Sequence, residues 1–103
     1  VKVLLYKPGC EPAIKFIAPT LEAMQDVVGG YIETVRLTDN LVLVCDEEGK
    51  LKDKPANRVL YKDGRRPIDV LVGDFFICRS VGEEFGSIKP GDEDLAGLFL
   101  APA

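Results

Sequence analysis

The chain has 103 residues, 47% of them hydrophobic, and a formal net charge of −4. A chain of this size buries roughly two thirds of the surface it exposes when unfolded, enough for one core, so general disorder is excluded. No apolar run approaches the roughly 20 residues of a membrane-spanning helix, and the charge is too small for a DNA mimic, which needs dense carboxylates at phosphate spacing.

Val1 to Tyr6 is an apolar, β-rich run that reads as a buried first strand, too short for a signal peptide. Position 1 is not Met, so a removed start residue is expected. Lys7-Pro8-Gly9-Cys10-Glu11-Pro12 is turn chemistry, and Ala13 to Ile17 reads as a second strand with Ile14 and Phe16 on one face and Lys15 on the other. Pro19-Thr20 opens a helix: Thr20 is the expected N-cap, and Leu21, Met24, Val27 and Val28 fall at helical spacing. Gly29-Gly30 stops it, Gly29 supplying a left-handed cap.

Tyr31 to Leu37 and Leu41 to Cys45 read as strands joined by a hairpin at Thr38-Asp39-Asn40, the second apolar on both faces and therefore central. Residues 51–66 lack clear periodicity, and a short helical turn is expected over Ala56 to Tyr61, followed by a turn at Asp63-Gly64. Pro67 to Val72 and Phe75 to Arg79 are strand candidates broken by a bulge or tight turn at Gly73-Asp74. Glu84 to Ile88 continues a sheet edge, and Pro90 to Asp94 opens a terminal helix that places Leu95, Leu98 and Phe99 inward. The expected fold is α+β, one domain over residues 1–103, with a single mostly antiparallel sheet of five or six strands and one or two helices packed on it.

The chain contains no histidine, which removes Ser-His-Asp and Cys-His nucleophile pairs, His-ligated metals and imidazole acid–base catalysis. Neither GxxxxGK[ST] nor GxGxxG occurs, so the common phosphate loops are missing. Of the three cysteines, Cys45 and Cys78 end apolar runs and read as buried hydrophobes, whereas Cys10 sits in a turn. Without a CxxC pair, a disulfide framework or zinc site is not expected, and a reducing, cytoplasmic compartment is. Asp46-Glu47-Glu48 lacks the alternating ligands of a calcium loop. No metal, cofactor or catalytic residue is called for, and an enzyme is not expected.

Charge is distributed unevenly. Residues 50–66 hold seven basic and two acidic residues, net +5, whereas the rest hold six basic and fifteen acidic, net −9. Such a segment forms either a solvated basic loop or an electropositive face. Within it, Asn57 and Arg58 offer an amide beside a forked guanidinium, equipment for an anionic or carbonyl-bearing ligand, with Lys54, Tyr61 and Asp74 as candidate neighbours. The structural alternative is that Arg58 pairs a carboxylate such as Asp74 while Asn57 caps the short helical turn.

The run from Thr20 through Ala23-Met24 and Gly29-Gly30 to Glu33 resembles a family of small proteins catalogued as domain of unknown function 3846. Val42 to Leu51 followed by Pro55-Ala56-Asn57-Arg58, and Val72-Gly73-Asp74-Phe75-Phe76-Ile77, fit the same pattern in the same order. The resemblance implies an origin in bacteria, their phages or mobile elements and supplies no catalytic residue. An accessory role is therefore expected: a non-catalytic interaction module, as a homodimer through a sheet edge or with a host protein. The alternative is a binder of an anionic small molecule such as a nucleotide at residues 50–66. Nucleic-acid binding and membrane association are not expected.

Overall fold

Three strands are apolar at successive positions, so both of their faces need cover. They are β1 (Lys2–Tyr6), β4 (Leu41–Asp46) and β7 (Phe75–Val81). In a computed structural model, which describes residues 1–62 and 66–103, they form the middle of a sheet. The strand β2 (Ala13–Phe16) lies outside β1, and β3 (Ile32–Arg36) lies outside β4. The order is β2-β1-β7-β4-β3, with the short β8 (Glu84–Gly86) also paired to β7, and all pairs are antiparallel.

Alternation sends each central strand's side chains into two cores. On one face Val3, Leu5, Val42, Val44, Phe76 and Cys78 meet Met24 and Val28 of α1 (Leu21–Val28). Thr20 caps this helix, its Oγ accepting the Ala23 N–H at 3.1 Å, and Gly29 closes it at φ 80°. On the other face Leu4, Tyr6, Leu43, Phe75 and Ile77 meet Leu60, Leu71 and Leu100.

Those last three leucines belong to a second sheet, so the expectation of a single sheet is corrected. It has the order β6-β5-β9, built from β5 (Ala56–Lys62), β6 (Arg66–Val72) and β9 (Leu100–Pro102). The molecule is α+β in three layers: α1, the six-stranded sheet, and the three-stranded sheet. The helical turn expected over Ala56 to Tyr61 is strand instead. Leu60 is drawn into the core between cross-strand neighbours Leu100 and Asp69, and that long-range pairing overrides weak local preference. The expected turn at Asp63-Gly64 lies outside the described residues.

Gly73-Asp74 is neither a bulge nor a turn within one sheet but the step from the second sheet to the first. Gly73 adopts φ 69° there and donates its N–H to the Pro55 carbonyl at 2.8 Å. The terminal helix α2 (Asp92–Gly97) is a six-residue element that turns Ala96 inward. Leu95 and Leu98, expected inward, are exposed, while Phe99 packs on the core. Asp92 anchors the helix by taking Nε and Nη2 of Arg79 at 2.7 and 2.9 Å.

Candidate functional site

The basic segment begins in the loop between β4 and β5. Lys52 and Lys54 turn inward and reach Asp46 Oδ2 at 2.9 and 2.7 Å. The same ammonium groups donate to the last carbonyls of α1: Lys54 to Val28 at 2.7 Å and Lys52 to Gly29 at 3.1 Å. Cations placed there complement the negative end of the helix. Burial alone would raise the Asp46 pKa, but hydrogen bonds from Lys54, Lys52 and the Glu48 N–H outweigh it and hold the carboxyl at about 2. Lys50 pairs with Asp69 of β6.

Arg58 and Asn57 are buried, at 8% and 2% exposure. The ladder slips between Ala56 and Arg58, which makes Asn57 the extra residue of a bulge and aims its side chain inward. Its amide donates to Tyr6 O at 3.0 Å and Gly73 O at 2.7 Å, while its Oδ1 accepts Arg58 Nη1 at 3.0 Å. The Arg58 guanidinium also donates to the Asn57 and Cys10 carbonyls and lies 5.3 Å from the centroid of the Tyr6 ring. Tyr6 in turn stacks on Phe75. Arg58 therefore holds the β1–β2 turn against the second sheet. The alternative pairing with Asp74 is not made, and neither is a helix cap by Asn57.

The five candidate residues are only partly brought together. Lys54 and Asp74 share a depression of about 340 Å³ with Pro8 and Gly73, and Asp74 lies 3.9 Å from Lys7. Asn57 bonds to the carbonyl of Gly73 in that rim, and Arg58 turns to Tyr6 and Cys10. Tyr61 lines a different groove, of about 250 Å³, with Val35, Leu37, Ile68 and Phe99.

Chemistry at the thiols is suppressed where they are buried. Desolvation pushes Cys45 up to about 11, with Glu33 adding to the rise, and Cys78 up to about 12. Cys10 is exposed, and all three cysteines are free. Among the described residues no three His, Cys, Asp or Glu side chains gather as a metal site, and no helix is long and apolar enough to cross a membrane.

A second feature emerges at β2, the outermost strand of the large sheet. All four of its residues are exposed, with Phe16 at 75% and Ile14 at 46%. The register fixes where its backbone groups point. Val1 and Ile17 exchange both hydrogen bonds, at 2.6 and 2.9 Å. In an antiparallel ladder bonded pairs alternate with non-bonded ones, so Val3/Lys15 and Leu5/Ala13 are bonded and Leu4/Ile14 and Lys2/Phe16 are not. The N–H and C=O of Ile14 and Phe16 therefore point away from the sheet.

The opposite edge, β3, differs. Its outward backbone groups belong to Ile32, Thr34 and Arg36, two of them with polar side chains, and Arg36 folds its guanidinium onto the Asp39 carbonyl at 2.8 Å. The alternation in the sequence places Ile14 and Phe16 on one face, but whether that face is covered depends on strand order, which the local pattern does not encode.

A family model described as Domain of unknown function (DUF3846) matches residues 1–99. The chain belongs to that family. No curated protein and no solved structure matches it.

Proposed function

We propose that this DUF3846 member is a non-catalytic interaction module whose docking element is the β2 edge. The observation that carries the reading is the coincidence, at Ile14 and Phe16, of exposed apolar side chains with outward-pointing backbone donors and acceptors. Exposed edges of this kind take up an added strand, main-chain bonds giving affinity and side chains giving specificity. An accessory role in a bacterial or phage cytoplasm fits the family resemblance and the three free thiols.

The alternative, an anionic ligand held by Lys54, Asn57, Arg58, Tyr61 and Asp74, draws support from the basic composition of the segment. It competes with internal partners, since Lys54 already holds Asp46 and the Val28 carbonyl, and Arg58 holds three internal acceptors. An anion would have to displace contacts that join the layers.

Affinity capture from host lysate, run in parallel with wild type and Phe16→Glu and accompanied by light scattering, tests the proposal. A partner or self-association lost in the variant supports it. Identical behaviour of the two forms overturns it.

A further inference from the structure

Among the described residues, the β2 edge offers two free donor–acceptor pairs, at Ile14 and Phe16, with Lys15 between them on the opposite face. The usable window is short. Pro12 before it and Pro19 after it have no N–H to give, and the Ala18 carbonyl already accepts the Thr20 N–H at 2.8 Å. An occupant therefore pairs over a few residues, with those opposite Ile14 and Phe16 exchanging main-chain bonds and the one between them standing across from Lys15.

Resting on the docking role given to this edge above, we infer that β2 receives, as an added antiparallel strand, an extended segment of another protein with the pattern apolar–acidic–apolar. Residues directly opposite share a face. The two apolar side chains thus lie beside Ile14 and Phe16, and the acidic one meets Lys15, which is exposed and unlike-charged to it.

A second copy of this chain fits worse in each available register. The two-fold register that uses both free pairs sets Ile14 against Phe16 of the copy. It also places Lys15 directly across from the copy's Lys15 at the close, non-bonded position, where like charges repel. Sliding to Ile14 against Ile14 brings Phe16 opposite Pro12, which lacks an N–H. Sliding the other way, to Phe16 against Phe16, brings Ile14 opposite Ala18, whose carbonyl is already engaged. A foreign strand with an N–H and a free C=O at both flanking positions avoids the two main-chain difficulties, and an acidic residue between them replaces the repulsion at Lys15 with attraction.

The test uses the full chain, labelled with 15N, and two capped peptides, Thr-Val-Glu-Val-Thr and Thr-Val-Lys-Val-Thr. The Glu peptide is expected to shift the Ile14 and Phe16 amide signals and to bind about fivefold more tightly than the Lys peptide, a preference that Lys15→Glu reverses. Phe16→Pro removes an N–H that the fold does not use, so it is expected to leave the remaining spectrum folded and to abolish binding. Equal binding of the two peptides, or binding by neither, overturns the inference, as does a concentration-dependent dimer that Phe16→Pro dissolves. If neither peptide binds while Phe16→Glu still loses a captured protein, the interaction role survives and strand addition does not.

Discussion

The basic segment and the β2 edge hold recognition chemistry in opposite ways. Between Lys50 and Arg58 there are four cationic side chains, yet each has a partner within the fold: Asp69, Asp46, the end of α1, or the carbonyls around Tyr6 and Cys10. At β2 there is a single cation and two large apolar side chains, but the backbone groups of Ile14 and Phe16 point away from the sheet and the side chains themselves are exposed. A group's availability, rather than its abundance in the sequence, decides whether it can recognise anything. Lys50, Lys52 and Lys54 act as internal ties, whereas the sparse β2 edge stays open among the described residues.

The internal ties around Asp46 and Asn57 can be cut one at a time. Asp46→Ala leaves the two lysine ammonium groups without their carboxylate and loosens the end of α1, so it is expected to destabilise the fold by about 3 kcal/mol in urea denaturation. A loss within experimental error would mean that the lysines are free for a ligand. Asn57→Ala removes two buried donors and strands the Tyr6 and Gly73 carbonyls, with an expected loss of about 2 kcal/mol by the same measurement.

Acidity sharpens the same point. The Asp46 carboxyl is held at about 2 in the folded state against 3.8 ordinarily. A depressed pKa contributes stability that is fully present above the unfolded value and is lost as pH falls through the folded one. Stability is therefore expected to decline between about pH 5 and pH 2, and Asp46→Asn, already uncharged, should lose less over that window in pH-resolved denaturation. A nucleotide panel in a thermal-shift assay should be flat, whereas an anion present at a hundredfold over its dissociation constant would add about 2.7 kcal/mol. The smallest effect on stability is expected at the open edge: Phe16→Ser should change the unfolding free energy by no more than about 0.5 kcal/mol while removing edge-dependent binding.

Local pattern made much of the larger sheet legible. Thr20 and Gly29 bracket α1 because capping is a short-range matter, and the unbroken apolar runs of β4 and β7 announce two buried faces. The second sheet was hidden for a physical reason. The bulge at Asn57 interrupts the alternation of β5 and puts a polar side chain where period two wants none, while β9 is three residues long and pairs with a segment some forty positions earlier. In α2 the apolar spacing pointed to Leu95 and Leu98, but the Arg79–Asp92 anchor orients the helix with Ala96 inward.

The candidate site was legible in its residues and not in their use. Arg58 stood out as a forked donor, but its partners include the carbonyl of Cys10, forty-eight positions away, and no side-chain motif names a backbone oxygen. For β2 the sequence shows the shared face of Ile14 and Phe16, whereas its place at the rim follows from strand order alone.

Residue-resolved amide hydrogen exchange on the free protein tests the openness of β2 most directly. Alternation along the strand is expected, with Lys15 and Ile17 protected by their bonds to β1 and to Val1, and Ile14 and Phe16 exchanging at nearly unprotected rates. Protection of Ile14 and Phe16 equal to that of Lys15 would contradict it, because those amides would then already have partners.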